Sequence, residues 1–132
     1  MNKYFNTVSN YLNELEYPIT LENEDDGIII VNKESEGFKN LIFGVLDPIL
    51  IIEQFLVEIP ENTASDVLKQ LLIKNRDIVH GAFVLDETGR KIIFRNTHQL
   101  KKLDINEMEG TLNSLSLLLS EYSDKLIQFS KL

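Results

Sequence analysis

Tyr4, Phe5, Val8, Tyr11, Leu12 and Leu15 recur at three- and four-residue spacing, with Asn, Ser and Glu between them. That period gathers the apolar residues into one stripe of an opening helix. Pro18 has no amide proton and disfavours helical backbone at Tyr17, so the helix is expected to stop there. A strand-rich middle follows. Glu24-Asp25-Asp26-Gly27 reads as a turn, after which Ile28 to Val31, Leu41 to Leu46 and Ile49 to Ile59 read as three strands. Their β-branched and aromatic content favours strand over helix at these lengths. Asp47-Pro48 suits a turn between the second and third of these, and Gly44 suggests a bulge.

Pro60 closes this block, and a second helix is expected from Asn62 or Thr63, either of which suits an N-cap, with Val67, Leu68, Leu71 and Leu72 on its apolar face. Gly81 to Arg95 (GAFVLDETGRKIIFR) has the form of a β-hairpin turning at Asp86-Glu87-Thr88-Gly89. From Asp104 onward, Ile105, Met108, Leu112, Leu115, Leu119, Tyr122, Leu126 and Phe129 keep helical spacing to the last residues. Asp104 with Glu107 forms a capping-box pattern. The fold class is therefore α+β, an antiparallel sheet of about five strands with three helices, in the order α-β-β-β-α-β-β-α.

The strand patterning bears on function. A sheet with one wet face alternates apolar and polar residues. Ile28-Ile29-Ile30-Val31, Leu41-Ile42-Phe43 and Ile49-Leu50-Ile51-Ile52 do not alternate, so both faces of these strands call for cover. Three helices within the chain are one source of it. A second subunit or a bound peptide is the other, and is the expected one for so small a domain.

Length and charge narrow the classes. The 132 residues suit one domain spanning 1–132, and 13 Lys+Arg against 21 Asp+Glu leave a net charge of −8. Nucleic-acid affinity comes largely from Lys and Arg neutralising phosphates, so an acidic chain argues against a nucleic-acid partner. Cysteine is absent, which excludes disulfides, thiolate metal sites and a Cys nucleophile. No apolar run approaches the roughly 20 residues needed to cross a bilayer, and the first residues do not resemble a secretory signal, so no membrane partner and a cytoplasmic location are expected.

No constellation of catalytic residues stands out. The two histidines, His80 and His98, fall at the start and just past the end of the expected hairpin, with neither Cys nor a GxSxG serine beside them. A calcium loop beginning at Glu22 fails at its twelfth position, which is Lys33 where a bidentate Glu is required. Glu24 to Gly27 is better read as an acidic hairpin turn. Gly81, Gly89 and Gly110 are isolated, so there is no phosphate-cradling loop. Lys91, Arg95, Lys101 and Lys102 suit protection of a sheet edge. The expectation is a protein without enzymatic activity and without a cofactor.

Some residues in this order of elements also resemble a known family. Gly81, Phe83, Leu85, Asp86, Gly89, Phe94 and Arg95, preceded by a leucine-rich helix from Leu71 ending in Asn75 and followed by the long helix from Asp104, resemble the YbjN-like family. The whole acidic chain is also similar to the class I type III secretion chaperones (Tir chaperone-like). The resemblance implies a homodimer without enzymatic activity that binds an extended segment of a client polypeptide along strand edges and apolar patches. Similarity to the YbjN-like proteins implies an alternative, a regulatory or adaptor domain binding one folded protein partner. On the first reading Ile28, Ile30, Leu41, Phe43 and Ile51 are candidates for peptide or partner contact, and Leu68, Leu71 and Leu72 for the dimer seam.

Overall fold

The computed structural model describes residues 2–62 and 65–132. Helix α1 (Phe5–Glu14) is followed by strands β1 (Ile19–Asn23), β2 (Ile28–Lys33), β3 (Phe38–Leu46) and β4 (Ile49–Glu58). Helix α2 (Ser65–Asn75), strands β5 (Ala82–Leu85) and β6 (Lys91–Gln99) and helix α3 (Ile105–Ser130) complete the chain. The strands form one antiparallel sheet in the order β1-β2-β3-β4-β6-β5.

The sheet has six strands rather than about five, because Ile19–Asn23 pairs with β2 as an edge strand. The acidic turn that follows it is a hairpin loop and so needs a strand on each side. Asn23 accepts from the Asp26 amide at 3.1 Å, and Gly27 donates to the Glu24 carbonyl at 3.1 Å with φ +70°. Gly44 is not bulged. It pairs regularly with Ile28 and Ile51, and the register shifts fall instead at Ile19/Leu21, Val31/Lys33 and Phe55/Val57.

Helix ends follow their expected chemistry. α1 stops before Pro18, and the Asp104 carboxylate accepts from the Glu107 amide at 2.8 Å to cap α3. Asn62 lies in a turn before α2, and Thr63 lies outside the described residues. α3 has 26 residues and buries Met108, Thr111, Leu112, Leu115, Leu118, Leu119, Leu126 and Phe129 along one side.

Directly paired residues of an antiparallel sheet share a face. Ile29, Phe43 and Ile52 form one such row, and Val45 with Leu50 another; all are buried together with Phe5, Val8 and Leu12 of α1, Val67 and Leu71 of α2, and the α3 stripe. The helices therefore contribute to the same core against one face of the sheet. Gln54, 4% exposed, belongs to this face too; its amide accepts from the Lys39 N–H at 3.1 Å and donates to the Gly37 carbonyl at 3.1 Å, filling the backbone gap left where β3 begins.

Candidate partner-binding surfaces

The opposite face of the sheet has no helix on it among the described residues. Ile30 pairs with Leu21 and Ile42, Ile42 with Glu53, and Glu53 with Arg95. The next rows hold Ile28, Gly44, Ile51 and Thr97, then Leu46 with Ile49, and on the other side Phe55, Ile93 and Val84. Leu21 is 46% exposed, Ile42 39%, Leu46 46%, Ile49 37% and Phe55 53%. Because β2, β3 and the start of β4 do not alternate, the face that meets no helix also carries a row of isoleucines, leucines and Phe55. In the middle of it stands one ion pair, Arg95 Nη1 to Glu53 Oε2 at 3.2 Å, which cancels its own charge. The face is thus close to neutral on a chain that carries −8 overall.

The candidate contact residues divide by parity. Ile28, Ile30 and Ile51 lie on this open face, half-buried by one another. Leu41 and Phe43 do not: both are 0% exposed and lie in the helix-covered core. The correction follows from the pleat, since neighbouring residues of a strand point to opposite sides. Ile42 and Gly44 are the β3 positions that share the face of Ile30 and Ile28. Phe55 was missed although it lies four residues beyond Ile51 on the same strand face, and Ile42 was missed because only its pairing with Ile30 assigns it to this side.

A second apolar surface lies between α2 and β5. Leu68, Leu71, Leu72, Phe83, Leu85 and Ile92 line a groove of about 280 Å³. The three seam candidates come together here in different states: Leu71 is 4% exposed and forms the floor, Leu68 is half-buried, and Leu72 is 71% exposed. At the end of this groove Asn75 meets the outer edge of β5. Its side-chain amide accepts from the Phe83 N–H at 2.7 Å and donates to the Phe83 carbonyl at 3.1 Å. A single side chain thereby takes the place of a neighbouring strand at the middle of that edge.

The other singled-out residues resolve in structural terms. β6 lies inside the sheet between β4 and β5, so Lys91 and Arg95 do not guard an edge; Lys91 faces Glu58 and Arg95 pairs with Glu53. Lys101 and Lys102 sit in a short turn before α3. His98 is not in a loop. It lies within β6 on the covered face, its side chain 10% exposed, with Nε2 2.9 Å from Thr111 Oγ1 and Nδ1 3.7 Å from Glu107. Burial, with a smaller push from His80, holds its imidazole below the ordinary value of 6.5, against the opposing pull of Glu107. No cluster of three potential metal ligands exists among the described residues, and no described helix is long and apolar enough to cross a membrane.

The family model CesT_Tir_1 matches the chain over residues 1–132. The chain belongs to the CesT_Tir_1 family. Three solved structures similar to this CesT_Tir_1 protein share its fold. YbjN from E. coli superposes with a TM-score of 0.70 at 11% identity, covering 92% of each chain. A chain of the HopA1–SchA chaperone–effector complex gives 0.66 at 16% identity, covering 93% of this chain and 95% of that one. A chain of the heterodimeric ExoU–SpcU complex from the type III secretion system of Pseudomonas aeruginosa gives 0.68 at 15% identity, covering 87% and 93%. No curated protein matches. At these identities the likeness establishes the fold of the CesT_Tir_1 chain, α+β with three helices against one side of an antiparallel sheet.

Proposed function

We propose that this protein is a non-enzymatic, cytoplasmic, chaperone-like protein that holds an extended segment of a client polypeptide and works as a homodimer. The observation that carries the reading is the open sheet face. Ile42, Leu46, Ile49 and Phe55 stay between 37% and 53% exposed in the centre and along the side of a sheet that no described element covers. Keeping such apolar area wet costs roughly 25 cal/mol for each Å², which a bound apolar chain recovers.

Two surfaces divide the work. The open face, through Ile28, Ile30, Ile42 and Ile51, takes apolar side chains from one stretch of the client, and strand addition of another stretch supplies main-chain hydrogen bonds. Addition falls to β1, because the backbone groups of Phe83 at the other edge are already taken by Asn75. The α2–β5 groove, with Leu68 and Leu72 on a floor of Leu71, is the seam between subunits. The net charge of −8 favours basic clients and makes their association rate fall with added salt. Similar folds occur in the HopA1–SchA chaperone–effector complex and in the heterodimeric ExoU–SpcU complex of a type III secretion system.

The test pairs sedimentation of the pure protein with binding to a permanently unfolded probe, a reduced and carboxymethylated globular protein. A dimer that retains the probe, and whose retention is lost in Ile42→Lys and Phe55→Lys, is the expected result. A monomer that retains nothing unfolded overturns the proposal, and so does capture of native proteins alone, the outcome a folded-partner adaptor would give.

A further inference from the structure

We propose that His98, Thr111 and Asn96 form a proton-sensitive latch that fastens the first turns of α3 to strand β6. These three buried or half-buried side chains share one set of hydrogen bonds. The Thr97 amide donates to Asn96 Oδ1 at 2.8 Å, which fixes the orientation of the Asn96 amide. Asn96 Nδ2 then has to donate, and it reaches Thr111 Oγ1 at 2.8 Å. Thr111, 0% exposed, therefore accepts from Asn96 and has its own hydroxyl proton to place; His98 Nε2 lies 2.9 Å away as the acceptor. This chain closes only when Nε2 carries no proton.

Protonation breaks that set at two points. Nε2–H would face the Thr111 hydroxyl proton, and it would stand 3.3 Å from the Asn96 Nδ2 donor. The imidazolium would also be partly desolvated, since its partner across β4 is the fully buried Leu50. The charged and titratable groups acting on it are Glu107 of α3, whose carboxylate lies 3.7 Å from Nδ1 and favours the charged form, and His80 of the connection before β5, which opposes it. Burial outweighs Glu107, so the folded site favours neutral His98 more than water does.

Releasing α3 from β6 lets His98 take water and a proton. One proton bound on opening makes the opening constant rise about tenfold for each pH unit of acidification, from the ordinary value of 6.5 down to the value in the folded site. Above that interval the opening constant sits at its pH-independent minimum. Acidification thus loosens the helix turn carrying Met108 and Leu112 and leaves the far strands β1 to β3 in place.

The experiment is NMR on the intact protein. His98 ring nitrogens are titrated directly, and amide exchange is followed at Met108 to Leu112 and at Ile29 to Val31 between about pH 5 and about pH 7.5, after correction for intrinsic rates. Expected are a neutral Nδ1–H tautomer, titration below 6.5, and faster opening at Met108 to Leu112 alone. His98→Gln removes the pH dependence, and His80→Gln moves the His98 titration upward. The proposal is overturned if His98 titrates at or above 6.5, if exchange at Met108 to Leu112 ignores pH, or if every strand loosens equally. The wild-type titration decides the matter even where His98→Gln does not fold.

Discussion

Asn75, the last residue of α2, holds both backbone groups of Phe83 in edge strand β5 through one side-chain amide, at 2.7 and 3.1 Å. Exposed sheet edges invite pairing with other chains. Here an amide supplies the donor and acceptor that a neighbouring strand would, so α2 is tied to the sheet and the edge is blocked at Phe83 at once.

Removing that amide exposes both groups. Asn75→Ala is expected to destabilise the protein by about 2 kcal/mol, from two lost hydrogen bonds at part-buried positions. Asn75→Asp keeps the acceptor and sets a carboxylate against the Phe83 carbonyl, so it is expected to recover only part of the loss. Urea unfolding of the three proteins measures this, and equal stabilities would show that water replaces the amide at no cost.

The two faces of β3 predict opposite responses to neighbouring substitutions. Phe43→Ala empties a fully buried site and is expected to cost about 3–5 kcal/mol. Ile42→Lys changes a residue 39% exposed on the open face and is expected to alter the stability of the monomer by about 0.5 kcal/mol or less. Chemical denaturation read at low protein concentration separates them.

Two hairpin glycines make a second contrast. Gly81 has φ +105°, and a side chain there would meet Phe94 Cε1 at 2.6 Å, so Gly81→Ala is expected to cost several kcal/mol. Gly89 has φ +72° in open space, where Gly89→Asn is tolerated at a cost of about 1 kcal/mol or less. Thermal unfolding should rank Gly81→Ala far below Gly89→Asn.

Tyr17 is 6% exposed and packs on Phe38 with ring centroids 5.6 Å apart. Burial first, and then the nearby Glu36 and Glu109 carboxylates, push its phenol up to about 12 from 10.0. A raised folded value means the stabilising contribution is complete below pH 10.0 and is lost as pH climbs toward 12. Ultraviolet absorbance titration should show a late phenolate step that Tyr17→Phe removes, with alkaline unfolding of the mutant displaced to higher pH.

Local chemistry made much of this protein legible from its residues. The helical stripes from Tyr4 to Leu15 and from Ile105 to Phe129 state their period directly, and Pro18, Asp104 and Gly27 mark where elements start and stop. β1 escaped because five residues, four of them exposed, carry too little apolar signal; pairing with β2 makes them a strand.

The binding surface is harder to read for a physical reason. In Leu41-Ile42-Phe43 every residue is apolar, so period two has nothing to mark, and which side faces the helices depends on register with β2 and β4. Residue chemistry alone determined the class of fold, the acidic charge and the surplus of apolar strand. Only the tertiary arrangement decided which half of that surplus stays open, that His98 is sealed against α3, and that Asn75 blocks one edge at Phe83, because each depends on residues far apart in the chain being brought within hydrogen-bond or packing distance.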